Sequence, residues 1–197
     1  MGPGGPLRGV TLAKATIRQG LDTSRSFIGG GPSYGVEAFP LGALELSRLQ
    51  RLGDGPWALW LEGIGQYAWD ILPNSERFSP GGSTIGRGFA PGDTTGDSGY
   101  GGRIELRHTV EPARLGRAAE GVELYAYGDW GQAYDRDGDR DGQGWETLGA
   151  AGIGVRIDVN RWLTITPEIA RQLRGVPTDT TDPDHEARFY VSLVARF

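Results

Sequence analysis

Apolar residues alternate with polar or small ones through most of this chain, in segments separated by clusters of Gly, Pro, Asn and Asp. Helical spacing is scarce. The period of two predicts about eight strands, over residues 7–20, 37–51, 57–70, 100–110, 121–132, 144–158, 161–173 and 187–197. Most are longer than the roughly 5 to 6 residues usual in a soluble domain. They match the roughly 9 to 11 residues with which a tilted strand crosses a bilayer.

The two faces of these segments differ in chemistry. In the last one, Phe189, Val191, Leu193, Ala195 and Phe197 share a face, and Arg188, Tyr190, Ser192 and Arg196 share the other. Around residue 125, Val122, Leu124, Ala126 and Trp130 oppose Glu123, Tyr125, Tyr127 and Asp129. One face suits lipid and the other a wet lumen. The connections also alternate in length. Residues 21–36, 71–99, 133–143 and 174–186 are long and rich in Gly, Pro, Ser and Asp, residues 52–56 and Asn160 are tight turns, and 111–120 is intermediate. Long loops outside and short turns in the periplasm are the outer-membrane arrangement. The expected fold is therefore all-β, an antiparallel transmembrane β-barrel in an up-and-down meander. Phe197, a terminal aromatic closing an alternating strand, resembles the signal by which such barrels reach their assembly machinery.

Composition narrows the alternatives. Hydrophobic residues make up 38% of the 197 positions and Gly supplies 34, too lean for an ordinary α/β core. Cysteine is absent, which excludes disulfides, thiolate nucleophiles and Cys-ligated zinc. No run of about 18 apolar residues offers a membrane helix. The opening Met1-Gly2-Pro3-Gly4-Gly5-Pro6 lacks a basic-then-apolar export signal, so the chain is expected to be a fragment of a longer protein. A net charge of -5 argues against nucleic acid as a partner. Lys14 is the only lysine, a bias read as genomic. Trp57, Trp69, Trp130, Trp145 and Trp162 fall at or near strand ends, as aromatic girdles at the two membrane interfaces require.

Other constellations carry less. Asp135, Asp137, Asp139 and Asp141, with Glu146 at the twelfth position, imitate a calcium loop, but strands rather than helices flank them, and a solvated acidic hairpin loop is the expectation. His108 and His185 do not assemble a triad, since one lies near a periplasmic strand end and the other in a polar loop. Glu105 and Glu123 are expected to pair with Arg103 and Arg107 on neighbouring lumen-facing positions rather than to perform acid–base chemistry. The Gly-rich stretches near Gly81 and Gly152 lack the strand–loop–helix setting of phosphate loops. No catalytic residue, cofactor or metal is expected.

One segment is far more specific. Between two predicted strands come Glu76 to Phe78, the pair Gly81-Gly82, the core Arg87-Gly88-Phe89, then Gly96-Asp97-Ser98-Gly99 and Glu105-Leu106-Arg107. This ordered set resembles the signature of two-partner secretion transporters, the haemolysin secretion/activation (ShlB/FhaC/HecB) family, whose superfamily also holds the barrel-assembly insertases. Gly86 departs from the pattern, because many relatives carry Val directly before the Arg. The resemblance runs from about Leu7 to Phe197, specific in the motif region and matched elsewhere as strand pattern.

The resemblance implies that the chain supplies about eight C-terminal strands of a sixteen-stranded barrel, with residues 71–99 folded back into the lumen. Upstream periplasmic domains of the family are absent here. It further implies that the tip residue Arg87 pairs with an acidic residue of the inner wall, matched by Asp129 in Tyr127-Gly128-Asp129. Such a charge-assisted bond would offset the entropy lost in confining a long loop. The implied function is export of a partner exoprotein of haemolysin or adhesin type through the pore. Outer-membrane lipids and the barrel-assembly machinery are the other implied partners. An insertase of the same superfamily, or a small autonomous eight-stranded barrel with an adhesive or structural role, are the competing expectations. The last requires the first strand to pair with the last.

Overall fold

The computed structural model describes residues 8–20, 39–82, 84–111, 119–136, 144–174 and 187–196. Eight strands form one antiparallel sheet in sequence order: β1 (Gly9–Gln19), β2 (Pro40–Arg51), β3 (Trp57–Ala68), β4 (Ser98–Thr109), β5 (Gly121–Tyr134), β6 (Trp145–Asn160), β7 (Leu163–Arg174) and β8 (Ala187–Ala195). Each pairs only with its sequence neighbours, so the sheet is an open segment of barrel wall. β1 and β8 are not paired with each other, which removes the pairing that a small autonomous barrel would need. Their free edges are tenable in a membrane only when further strands complete the wall.

Strand lengths follow from the alternation. β5 carries its pattern through Tyr134, two residues further than expected, because Gln132 and Tyr134 continue the ladder to Thr147 and Trp145. β4 likewise begins at Ser98, drawn into the sheet by pairing with Tyr134. β6 runs on to Asn160, and its turn lies at residues 161–162 rather than at Asn160 itself. The Asn160 carboxamide accepts the N–H groups of Trp162 and Leu163 at 2.8 and 3.0 Å, a side-chain turn that tightens the corner. The β2–β3 turn uses Gly53 at φ +71°.

The two faces separate as the sequence implied. Ile104, Leu106, Leu124, Trp130, Ile153, Ile169, Phe189 and Leu193 point outward; Phe189 and Leu193 are 70% and 67% exposed. A soluble protein rarely shows so continuous an apolar surface, whereas lipid covers it without cost. Tyr125, Tyr127, Asp129, Glu105, Ala150 and Ala170 are buried on the inner side. The girdle aromatics lie at the sheet's two ends. Trp57 packs against His108 at the turn end, the rings tilted by 49° with centroids 4.4 Å apart, and Tyr100 packs against Trp130 and Trp145 nearer the loop end. Phe197, the expected assembly signal, and residues 137–143 of the acidic loop lie outside the described residues. No helix among the described residues is long and apolar enough to cross a membrane.

Candidate functional site

The segment between β3 and β4 folds against the inner face of the sheet. It turns at its tip, where the Phe89 N–H donates to the Gly86 carbonyl at 2.9 Å, and its limbs are tied by Gly82 N–H to Phe89 C=O at 3.2 Å. Higher up, Phe78 and Gly96 exchange two backbone bonds at 2.7 and 2.9 Å. The wall beneath is cut back to receive it. A Cβ on Gly99 would strike the Phe78 ring, and one on Gly131 would lie 2.6 Å from Pro80. The buried Ile85 sits between these strands, its methyl facing both Gly101 and Gly131.

Gly86 has φ +78°, a region that a β-branched residue enters only under strain. A Cβ there would also meet the Leu148 side chain at 2.6 Å. Glycine at this position therefore permits the left-handed turn of the tip, with Leu148 filling the space beside it. Phe89 buries against Leu148 and Ala150.

Arg87 lies at the centre of the contact. Its Nη1 donates to Glu168 of β7 at 2.5 Å and its Nη2 to Glu105 of β4 at 3.1 Å. Its guanidinium lies 4.2 Å from the Tyr127 ring centroid, within cation–π range, and 5.8 Å from that of Tyr125. Burial lowers the Arg87 pKa, but the carboxylates of Glu168 and Glu105 outweigh it and hold the pKa above the ordinary guanidinium value. The cation is permanent at any physiological pH.

The structure brings Arg87 and Asp129 together differently from the expected side-chain pair. Asp129 Oδ2 accepts the Arg87 backbone N–H at 3.3 Å. The guanidinium goes instead to Glu105 and Glu168. The cause is one of reach: the tip's backbone already crosses the wall at Asp129, so the extended Arg side chain passes this row and ends at the next carboxylates. Gln172 of β7 completes the cradle, its Nε2 donating to the Gly88 carbonyl at 2.8 Å. Gly88 lies flat on the wall, where a Cβ would approach Gln172 Cγ to 3.1 Å. Arg103 Nη1 holds the Thr84 carbonyl at 2.8 Å while its other terminal nitrogen pairs with Glu62.

Glu168 was not singled out by the sequence pattern, yet it carries most of the network. Its Oε2 accepts from Arg87 and from Tyr125 Oη at 2.7 Å, and its Oε1 accepts from Tyr127 Oη at 2.9 Å. The tyrosines stand on β5 and reach across β6 to β7. They do so because β6 offers glycines where the rings cross: a Cβ on Gly152 would collide with Tyr127 and one on Gly154 with Tyr125. Of the expected wall pairs, Glu105 with Arg107 forms at hydrogen-bond distance, whereas Arg103 goes to Glu62 and the close partner of Glu123 is Arg156. Arg107 Nε donates to Glu105 at 2.8 Å and lies 3.9 Å from Glu123, and Arg156 pairs with Glu123. Arg107 also lies over the Trp60 ring, with 4.9 Å to the centroid.

Gly81 and Gly82 lie beside the tip, turning with φ +153° and +94°, while the motif's Gly96, Asp97 and Gly99 sit at the loop's root. Gly96 packs so closely on the Tyr134 backbone that no side chain fits, and Asp97 is completely buried. Among the described residues, no cluster of three or more His, Asp or Glu is placed to hold a metal ion.

Solved structures share this wall. CdiB from Escherichia coli superposes with a TM-score of 0.73 at 22% identity, covering 95% of this chain and 34% of that one. CdiB from Acinetobacter baumannii gives 0.59 at 24% identity, covering 82% and 28% respectively. At such identities the likeness establishes the fold, and the chain spans about a third of the length of these proteins. No curated protein sequence matches it. The family model described as haemolysin secretion/activation protein ShlB/FhaC/HecB does match, over residues 8–157, and with the open barrel wall and the motif-bearing lumen loop this shows that the chain belongs to that family of outer-membrane β-barrel transporters.

Proposed function

We propose that this chain forms part of the wall of a secretion pore through which a partner exoprotein, of haemolysin or adhesin type, crosses the outer membrane, and that its lumen loop must be docked for the pore to work. The chain supplies eight strands of a larger barrel, and its lipid-covered outer face and girdle aromatics seat it in the membrane. The observation that carries the reading is the buried Arg87, held by Glu105 and Glu168 across three strands and stacked on Tyr127. Burying a cation in a pore wall is costly, and a wall that supplies two carboxylates and two tyrosines to meet it is built for that contact. Nothing in the arrangement positions a nucleophile beside a base, so the chemistry of the site is anchoring rather than bond-making. An adjacent cavity of about 640 Å³, lined in part by Phe89, Pro91, Tyr190 and Ser192, leaves space beside the docked tip.

The test is export in cells carrying the native transporter with Arg87→Ala. The expected result is normal amounts of the protein in the outer membrane with the passenger retained inside. Undiminished export by the variant would refute the reading. Appearance of the same variant's defect in the assembly of unrelated outer-membrane barrels, with the passenger still exported, would transfer the role to barrel insertion.

A further inference from the structure

A second anchor lies far from the tip. Asp97 precedes β4 at the loop-side end of the wall and is wholly buried, yet no cation pairs with its carboxylate among the described residues. Its Oδ1 accepts the Leu72 N–H at 2.7 Å and its Oδ2 accepts the Arg136 N–H at 2.9 Å. Leu72 belongs to the segment leaving β3, and Arg136 to the segment leaving β5. One carboxylate thus clamps three stretches of backbone. The neighbouring bonds repeat the connection: the Asp97 carbonyl accepts from Gln66 at 3.2 Å, Ser98 Oγ accepts the Ala68 N–H at 3.0 Å, and Arg136 Nη2 donates to the Ala68 carbonyl at 2.6 Å. Arg77 in the outgoing limb pairs with Asp135. Leu72 itself is buried with Phe39, Leu41 and Ala68, so the clamp closes over an apolar cluster.

Chain length alone does not determine how deep the tip sits. Arg103, six positions along β4 from Asp97, faces Asp129, the residue that receives the tip's backbone. Six strand residues cover roughly 20 Å. The ten-residue return from Arg87 to Asp97 spans up to roughly 33 Å when extended. The limb has slack, and a root free to slide would let the tip dock in several rows. We propose that Asp97 is a positioning residue that fixes the depth of the lumen loop, so that Arg87 meets Glu105 and Glu168 rather than carboxylates above or below them. This deepens the export reading and rests on it for its importance, though not for its test.

The experiment places nitroxide labels at Ala90 in the loop and at the lipid-facing Ile153, in the native protein reconstituted in lipid, and measures the distance distribution between them. Asp97→Ala is expected to broaden the distribution and raise the undocked fraction at least about tenfold, as loss of two bonds to a buried carboxylate implies. Asp97→Asn keeps one acceptor oxygen and is expected to fall between. Asp54→Asn, which breaks an exposed pair with Arg8 in the β2–β3 turn, is expected to leave the distribution unchanged. If Asp97→Ala fails to assemble, Asp97→Asn carries the test alone. A wild-type distribution in the Asp97 variants, or equal broadening in Asp54→Asn, would overturn the proposal. Export is scored separately, so an unchanged distance refutes the depth role without touching the export reading, and normal export by Arg87→Ala refutes that reading without touching the depth role.

Discussion

Replacing Glu168 with Gln preserves volume and shape while removing one charge, and so isolates its contribution to docking. The carboxylate now accepts three hydrogen bonds, from Arg87, Tyr125 and Tyr127. The carboxamide keeps one acceptor oxygen, so at least one tyrosine hydroxyl loses its partner. Both side chains of the Arg87–Glu168 pair are only 11% exposed, which leaves little room for solvent screening. Removing one partner of such a pair costs about 3–5 kcal/mol when the other is left alone. Here Glu105 still holds Nη2 at 3.1 Å, and we expect about 2 kcal/mol, weighted toward the docked state of the loop. That is roughly a 30-fold rise in the undocked population. A cysteine introduced at Ala90 reports it, because a soluble maleimide reacts with the tip in proportion to the time it spends free. The expected labelling rate in Glu168→Gln is about 30 times that of the parent, and the effect is expected to be much smaller in an Arg87→Gln background, where the coupling is already lost. Equal acceleration in both backgrounds, or less than about a twofold change, would show that the contact does not hold the loop.

Further outcomes follow from the same geometry. Arg87→Lys retains the charge but cannot fork between two carboxylates or lie flat on Tyr127, so tip labelling should rise at least about tenfold, and parity with the parent would show that charge alone suffices. Gly154→Ala places a methyl in the Tyr125 ring, which should cost about 1–3 kcal/mol in heat or urea unfolding of the barrel; an unchanged midpoint would mean the ring yields freely. Because the Arg87 pKa is raised, its contribution is complete below the unfolded guanidinium value and is lost only as pH climbs through the still higher folded one. Tip labelling, corrected for thiol ionisation, should therefore stay flat from about pH 7 to 10, and a rise within that window would contradict the assigned pairing. Ile153→Arg on the lipid face should cost about 2–4 kcal/mol and lower the yield of assembled barrel, whereas normal assembly would argue against that face being in lipid.

Much of this was legible from local pattern. The period of two located all eight strands, and residue parity alone set Tyr125, Tyr127 and Asp129 on the inner face against Leu124, Ala126 and Trp130, because alternation is a property of a single strand. The tip was legible because Arg87-Gly88-Phe89 is contiguous. The guanidinium's partners were not, since they depend on the stagger of strands and the reach of a long side chain. Asp129 is close enough to receive the backbone, while Glu168 lies two strands away in a segment with no motif of its own. The tyrosine bridge needed Gly152 and Gly154 in register with Tyr127 and Tyr125, a relation between strands that neither sequence displays alone. Asp97 stood out as a motif member, but its clamp on Leu72 and Arg136 joins positions 25 and 39 residues away.

Secretion through this wall requires one face in lipid and the other closed by the docked loop. Nitroxide labels placed in turn at each residue from Val122 to Trp130, in the native protein in a bilayer, test this through their collisions with oxygen, which concentrates in lipid. A wall so placed gives high oxygen accessibility at positions 122, 124, 126 and 130, with low values at 123, 125, 127 and 129. Uniform accessibility along β5, or the reverse alternation, would contradict it.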